Sequence, residues 1–161
     1  MTDKQDWRTI VASSLDWEQA HATLENSVKG FPVALHGERP AGYPHSAWEL
    51  LEHMRITQQD LLDFCQNPDY EEKLAWPRDY WPPTPAPPTA AAWDKTLEDF
   101  RRDRSALAWF ATKSEIDLTT RIPRGTGQTY LRTILVAVDH ASYHTGQIVS
   151  VRRLLGAWPA P

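Results

Sequence analysis

Apolar side chains recur every three or four residues along four stretches of this chain, which is the pattern of amphipathic helices. The first stretch covers residues 7–29. It is interrupted at residues 13–16, where Asp16 is predicted to begin a second helical segment as its N-cap. The third and fourth stretches cover residues 89–113 and 129–155. Each stretch has one apolar face to bury, so the pattern predicts helices that pack on one another.

The second stretch has the clearest start in the chain. Ser46 and Glu49 have the spacing of a capping box, in which each side chain bonds the backbone N–H of the other residue. The helix is predicted to run to about Gln66 and to end at residues 67–69, Asn-Pro-Asp. At the last helix, Thr129 is predicted as the N-cap and Gly156 as the C-terminal cap.

A segment rich in proline and aromatic residues, 76–88, separates the second and third helices. Proline is excluded from helix interiors and central strands, so this segment is predicted to be a loop of polyproline character. A flexible linker does not normally carry Trp76, Tyr80 and Trp81. We therefore expect the loop to pack on the body of the protein, with a subunit contact as one place where it would do so.

Four helical stretches predict an all-α four-helix bundle, with the Pro/Trp-rich loop between its second and third helices. At 161 residues, the expectation is a single domain over residues 1–161, which is long enough to bury a core. Four-helix bundles place metal sites in their cores, using side chains from facing helices.

Composition and charge exclude some classes of binding partner. A net charge of −4 and a pI of about 5.8 argue against a nucleic-acid-binding protein, which normally shows a basic surface. Cys65 is the single cysteine, the N-terminus has no apolar signal core, and no stretch approaches the ~18 apolar residues of a membrane span. The expected location is the cytoplasm, without a membrane partner.

Candidate chemistry centres on two histidines four residues apart, His140 and His144, which leave the same face of the last helix. At ~100° per residue they lie about 40° apart on the apolar stripe of that helix. His53 lies on or beside the buried face of the second helix. Three inward histidines are the usual protein ligands of an open metal site. The alternative is that they are core histidines hydrogen-bonded to neighbouring groups.

Other residues have weaker signals. Gln147, Thr57 and His21 are candidates to line the pocket or to contact the ligands. His45 is expected at the mouth of the bundle and His36 on the surface of a loop. Cys65 lies more than three helical turns from His53 and is a poor fourth ligand.

Segments 44–54 and 139–147, with Arg-Arg-Leu-Leu-Gly at 152–156, resemble the DinB-like superfamily, also described as DinB/YfiT-like metalloenzymes. The resemblance covers most of the chain, from the second helix to the end. It implies a four-helix bundle, often a homodimer, with a divalent metal on His53, His140 and His144. Zinc and nickel are associated with the family, and manganese or iron could also occupy such a site. The family name refers to damage-inducible expression and is not evidence of DNA binding.

Characterised relatives, on this resemblance, include metal-dependent transferases and isomerases that use low-molecular-weight thiols such as bacillithiol or mycothiol. A small-molecule substrate and a thiol-dependent S-transferase or isomerase activity are therefore expected. A metal-dependent hydrolase and a non-catalytic metal-binding bundle (a sensor, a store or a structural dimer) are the alternatives. Ala141 stands where a His-Glu-x-x-His metalloprotease has its glutamate, which disfavours that class. The sequence assigns no catalytic residue.

Overall fold

The structure is a computed structural model that describes residues 6–159. It contains five α-helices: α1 (Trp7–Ser14), α2 (Leu24–Val28), α3 (Ala47–Gln66), α4 (Ala92–Thr112) and α5 (Tyr130–Leu154). Short 3₁₀ turns lie at Val33–Leu35 and Arg78–Tyr80. Between residues 6 and 159 there is no strand, only one isolated bridge that pairs Arg121 with Thr129. The predicted all-α class is confirmed.

The main helices α1, α3, α4 and α5 pack as a bundle. Near the starts of α3 and α4, the Thr96 hydroxyl donates to Glu52 at 2.7 Å, so these two helices run in the same direction. The Arg8 guanidinium at the start of α1 donates to the carbonyl of Ala111 at the end of α4, so α1 runs opposite to α4. The long connection between α3 and α4 therefore crosses back along the bundle.

Two buried apolar clusters fill the bundle, one toward each end. The first includes Leu50 and Met54 of α3, and the second includes Leu107 of α4. On α5, Ala137 belongs to the second cluster and Ile148 to the first. Fully burying a leucine, isoleucine or methionine side chain stabilises the fold by roughly 1.5–3 kcal/mol. The segment of α5 between the two clusters carries His140 and His144.

Local capping determines where the long helices begin. The Ser46 hydroxyl accepts from the Glu49 backbone N–H at 3.1 Å, and the Glu49 carboxylate accepts from the Ser46 backbone N–H at 2.8 Å. This confirms the capping box. Thr129 caps α5 as predicted, and Gly156 follows that helix with a φ of +68°, which favours glycine. The third predicted helix begins at Ala92, three residues later than expected.

The prediction for the first stretch is wrong at Asp16. Residues 15–23 are not helical, and α2 begins only at Leu24, with Thr23 as its N-cap. The Asp16 carboxylate instead pairs with Arg104 of α4 at 2.9 Å. The Asp16 side chain thus contacts α4 and does not cap a helix in its own segment.

The Pro/Trp-rich loop packs on the bundle, as predicted. The Ser46 hydroxyl donates to the Pro85 carbonyl, and Gly37 lies so close to Ala86 that any side chain at residue 37 would collide with it. Trp76 remains mostly exposed, whereas Tyr80 is buried. Across the described part of the chain, no helix is long and apolar enough to cross a membrane.

Candidate metal centre

Three imidazole rings meet between α3 and α5. His53, His140 and His144 each offer a ring nitrogen, and these atoms lie within 4.8 Å of one another. His53 Nε2 and His140 Nε2 are 3.0 Å apart. His53 and His144 are 2% and 6% exposed, and His140 is half-buried. The three histidines predicted from helical phasing are therefore brought together in one buried cluster.

The loop between α3 and α4 holds the ring of His53. Its Nδ1 lies 2.7 Å from the carbonyl oxygen of Tyr80, which can only accept a hydrogen bond. His53 therefore carries its proton on Nδ1, and the Nε2 lone pair faces the other two histidines. The Tyr80 hydroxyl donates in turn to Asp60 at 2.7 Å, and the Tyr70 hydroxyl donates to the other oxygen of that carboxylate at 3.0 Å. Contacts of this kind orient the ligands of metal sites.

Gln147 orients the ring of His144. Its amide oxygen lies 2.6 Å from His144 Nδ1, so that nitrogen donates and the Nε2 lone pair is left for the cluster. The Gln147 amide group also donates to the Tyr143 hydroxyl at 3.2 Å. Gln147 therefore contacts one of the three clustered histidines.

Trp81 shields one side of the cluster. Its ring stacks on His53 with centroids 4.0 Å apart, and its other face stacks on His45 at 4.2 Å. His45 is half-buried, in keeping with the predicted place at the mouth of the bundle. The stack covers one face of the His53 ring and leaves its edge, with Nε2, toward the other histidines.

Burial keeps the cluster neutral. It lowers the pKa of His140 to about 3, helped by the neighbouring His144 and His53, and the pKa of His144 to about 4, helped by His53. Burial also lowers the pKa of His53, against the opposing effect of its hydrogen bond to Tyr80. Neutral imidazole is the form that binds metal ions. Three convergent neutral nitrogens, two of them oriented by Nδ1 contacts, could hold a metal ion.

The remaining candidates have other places. Thr57 is buried one turn beyond His53, and its hydroxyl has no hydrogen-bond partner among the described residues. His21 is exposed on the non-helical segment before α2 and bonds the Ala22 carbonyl, so it is not part of the cluster. Cys65 is buried in the second apolar cluster, where burial raises its pKa to about 12.

The prediction that His36 lies on the surface is wrong. His36 is 4% exposed and stacks on Trp93 with centroids 3.8 Å apart. Its Nε2 lies 3.1 Å from the Phe31 carbonyl. The loop that carries His36 folds onto the start of α4, and the ring covers apolar surface there while its polar atom is satisfied.

Neither helical phasing nor motif spacing predicts a role for Tyr80 or Trp81 at the cluster. Tyr80 acts through its backbone carbonyl, which has no residue-specific signal. The aromatic side chains of the proline-rich loop were the only sequence signal here. They predicted that the loop packs on the bundle, but not which residues it contacts.

A four-helix bundle with a buried three-histidine cluster defines a class of candidate metal-binding helical proteins. The sequence profile of the DinB superfamily matches residues 16–148, which is most of the chain. This protein belongs to the DinB superfamily. Comparison with curated proteins gives no match, and comparison with solved structures gives none either.

Proposed function

We propose that this protein is a divalent-metal-dependent enzyme acting on small molecules, with His53, His140 and His144 as its metal ligands. The observation that carries the proposal is the orientation of two rings. His53 and His144 give their Nδ1 protons to fixed oxygens and direct Nε2 at a common point. Imidazole ligands favour zinc or nickel among the divalent ions. Manganese or iron would be weaker candidates.

Three protein ligands leave coordination positions open, which is the arrangement of catalytic rather than structural sites. A divalent cation held there supplies Lewis acidity, which lowers the pKa of a thiol or water that it binds. The protein's own thiol is excluded as the reacting group, because Cys65 is buried away from the cluster and its pKa is raised to about 12. The proposed thiol is therefore a low-molecular-weight thiol from solution.

In the proposed transferase reaction, the thiol sulfur forms a bond to an electrophilic carbon. The leaving group departs with the bonding electron pair, and the thiol proton passes to solvent. In the isomerase variant, the same thiol adds to the substrate and is later eliminated. The chain's own part is to hold the ligands, to keep the cluster neutral and to shield His53 with Trp81.

Residues around the mouth would contact the substrate. Tyr143 is 63% exposed, and its ring lies edge-on to His144 with centroids 4.9 Å apart. His45 and Tyr43 are half-buried nearby, and Tyr43 is within reach of Gln147. These groups present aromatic surface and hydrogen-bonding groups together, which suits a small polar organic molecule.

The test is a turnover screen with metal-loaded protein, a set of low-molecular-weight thiols and activated electrophiles. Activity is expected to fall at least about a hundredfold in His140→Ala, because a ligand is lost. His21→Ala removes an exposed histidine outside the cluster and is the matched control. Stoichiometric metal without turnover of any thiol, ester or amide substrate would favour the non-catalytic alternative. Water-dependent cleavage without a thiol would favour the hydrolase.

We further propose a homodimer, because large apolar side chains remain exposed on the main helices. Trp109 of α4 and Leu135 and Leu154 of α5 are each about half exposed or more. Contiguous exposed apolar surface is typical of interaction sites, and Leu135 lines a surface groove together with Leu131 and Val136. Light scattering would give twice the 18.4 kDa chain mass for a dimer, and the chain mass itself would exclude one.

A further inference from the structure

A cavity of about 780 Å³ lies between α3, α4 and residues 67–79, and none of the three clustered histidines lines it. Acidic groups dominate its wall. The carboxylates are Asp60, Asp63, Glu71, Asp79 and Asp103, and the basic side chains are Arg55 and Lys73. The resulting formal charge of −3 makes up most of the net charge of −4 of the whole chain. An acidic concavity concentrates cations from solution.

Two of these carboxylates already have partners within the protein. Asp60 accepts from two tyrosine hydroxyls, and Asp79 pairs with Arg78. The charge of Arg55 is also neutralised, because its guanidinium pairs with Glu52 at 2.7 Å. The carboxylate oxygens still available to a ligand are those of Asp63 and Glu71, which are exposed, and Oδ2 of Asp103, whose Oδ1 pairs with Arg102 at 2.9 Å.

Asp103 is the unusual member. It is 4% exposed, yet only its Oδ1 is bonded, by the Nε of Arg102 at 2.9 Å. Its Oδ2 is buried and has no hydrogen-bond partner among the described residues. Buried carboxylate oxygens are normally paired, because leaving one unpaired costs free energy. A cationic N–H donor in the cavity would supply the missing bond.

The arrangement does not suit a metal ion. Within the described residues, the only convergent group of three or more His, Cys, Asp and Glu ligands is the histidine cluster. The cavity carboxylates are thus spread along the wall, and Ile56, Leu62 and Leu74 lie among them. Acidic groups separated by aliphatic surface match an alkyl chain that carries a cation at each end.

We propose that this cavity binds a linear aliphatic di- or polyamine. One primary ammonium group donates to Asp103 Oδ2, a second lies by Asp63 or Glu71, and the methylene chain covers the apolar side chains between them. The site does not depend on the histidine cluster or on a metal.

Calorimetric titration of the full chain with spermidine at low salt, with EDTA present, tests the proposal. Asp103→Asn keeps an oxygen for Arg102 and removes the buried negative charge. Binding to this variant is expected to be about tenfold weaker or more, because a charged hydrogen bond is lost. Glu115→Gln removes one exposed charge outside the cavity and is expected to change the Kd less than twofold. His140→Ala is expected to bind spermidine as the wild type does, whatever the fate of the metal site.

Absence of binding at millimolar spermidine would overturn the proposal. Equal weakening in Asp103→Asn and Glu115→Gln would also overturn it, as would displacement by Mg²⁺ at equal charge concentration, since either result indicates only a counterion effect. If Asp103→Asn does not fold by circular dichroism, the double variant Asp63→Asn/Glu71→Gln supplies the test. Its spermidine binding must weaken by about tenfold while its fold is kept.

Discussion

Lowering the pH should destabilise this protein through its buried histidines, by an amount that follows from the structure. In the folded protein, burial holds the pKa of His140 at about 3 and that of His144 at about 4. In the unfolded chain both have the ordinary value of 6.5. Between pH 7.5 and 5.5 the unfolded chain takes up protons at these two residues and the folded protein does not. Unfolding is therefore favoured as the pH falls, and this loss of stability continues down to about pH 4.

The expected loss of stability is the same for His140 and for His144. From pH 7.5 to 5.5, a histidine of pKa 6.5 passes from about one-tenth to about nine-tenths protonated, which lowers the free energy of unfolding by about 1.4 kcal/mol when the folded form stays neutral. His140 and His144 together should contribute about 2.7 kcal/mol. His36 and His45, whose pKa values are also lowered by burial, contribute equally to wild type and to cluster variants.

Urea unfolding in EDTA at pH 7.5 and 5.5 measures this loss of stability. The proteins compared are the wild type, His140→Gln and the double variant His140→Gln/His144→Gln. The loss of stability on acidification should shrink by about 1.4 kcal/mol in the single variant and about 2.7 kcal/mol in the double variant. His21→Gln, which removes an exposed histidine, should keep the wild-type loss. If all four proteins lose the same free energy between the two pH values, the cluster is not buried and neutral in the folded state.

Three further substitutions test the surroundings of the cluster. Gln147→Leu removes the acceptor for His144 Nδ1 and should weaken zinc affinity by about 10- to 100-fold in a chelator competition, and unchanged affinity would contradict the role of that bond. Asp60→Asn weakens the acceptor for the Tyr80 hydroxyl and should lower the free energy of unfolding by about 1–3 kcal/mol. An unchanged free energy of unfolding would mean that other contacts hold the loop. Ser46→Ala should cost about 1 kcal/mol in urea unfolding, and a neutral effect would mean that the cap contributes nothing.

The parts of the fold that depend on local chemistry were predictable from the sequence. Ser46 and Glu49 form their capping box within a single helical turn, so four residues contain the whole signal. The inward placement of His140 and His144 follows from the constant angle per residue of a helix, and it needs no knowledge of the partner helix. The bundle class and the inward direction of each of the three histidines follow from such short-range regularities.

The parts that depend on distant contacts were not predictable. Asp16 has a good sequence context for an N-cap, but Arg104, far along the chain, holds its carboxylate. His36 lies in a loop rich in glycine and proline, and only the position of Trp93 shows that it is buried. The hold on His53 by the Tyr80 carbonyl depends on the path of the crossing loop, which hydrophobic patterning does not encode.

The central claim, that three histidines hold one metal ion, is tested most directly by metal stoichiometry and affinity. Protein stripped with a chelator and titrated with zinc or nickel should bind one ion per chain, with a rise in melting temperature, because metal that binds only the folded state stabilises it. His53→Ala, His140→Ala and His144→Ala should each abolish both the binding and the rise. A wild-type protein that takes up no stoichiometric zinc or nickel and gains no thermal stability from either would contradict the account.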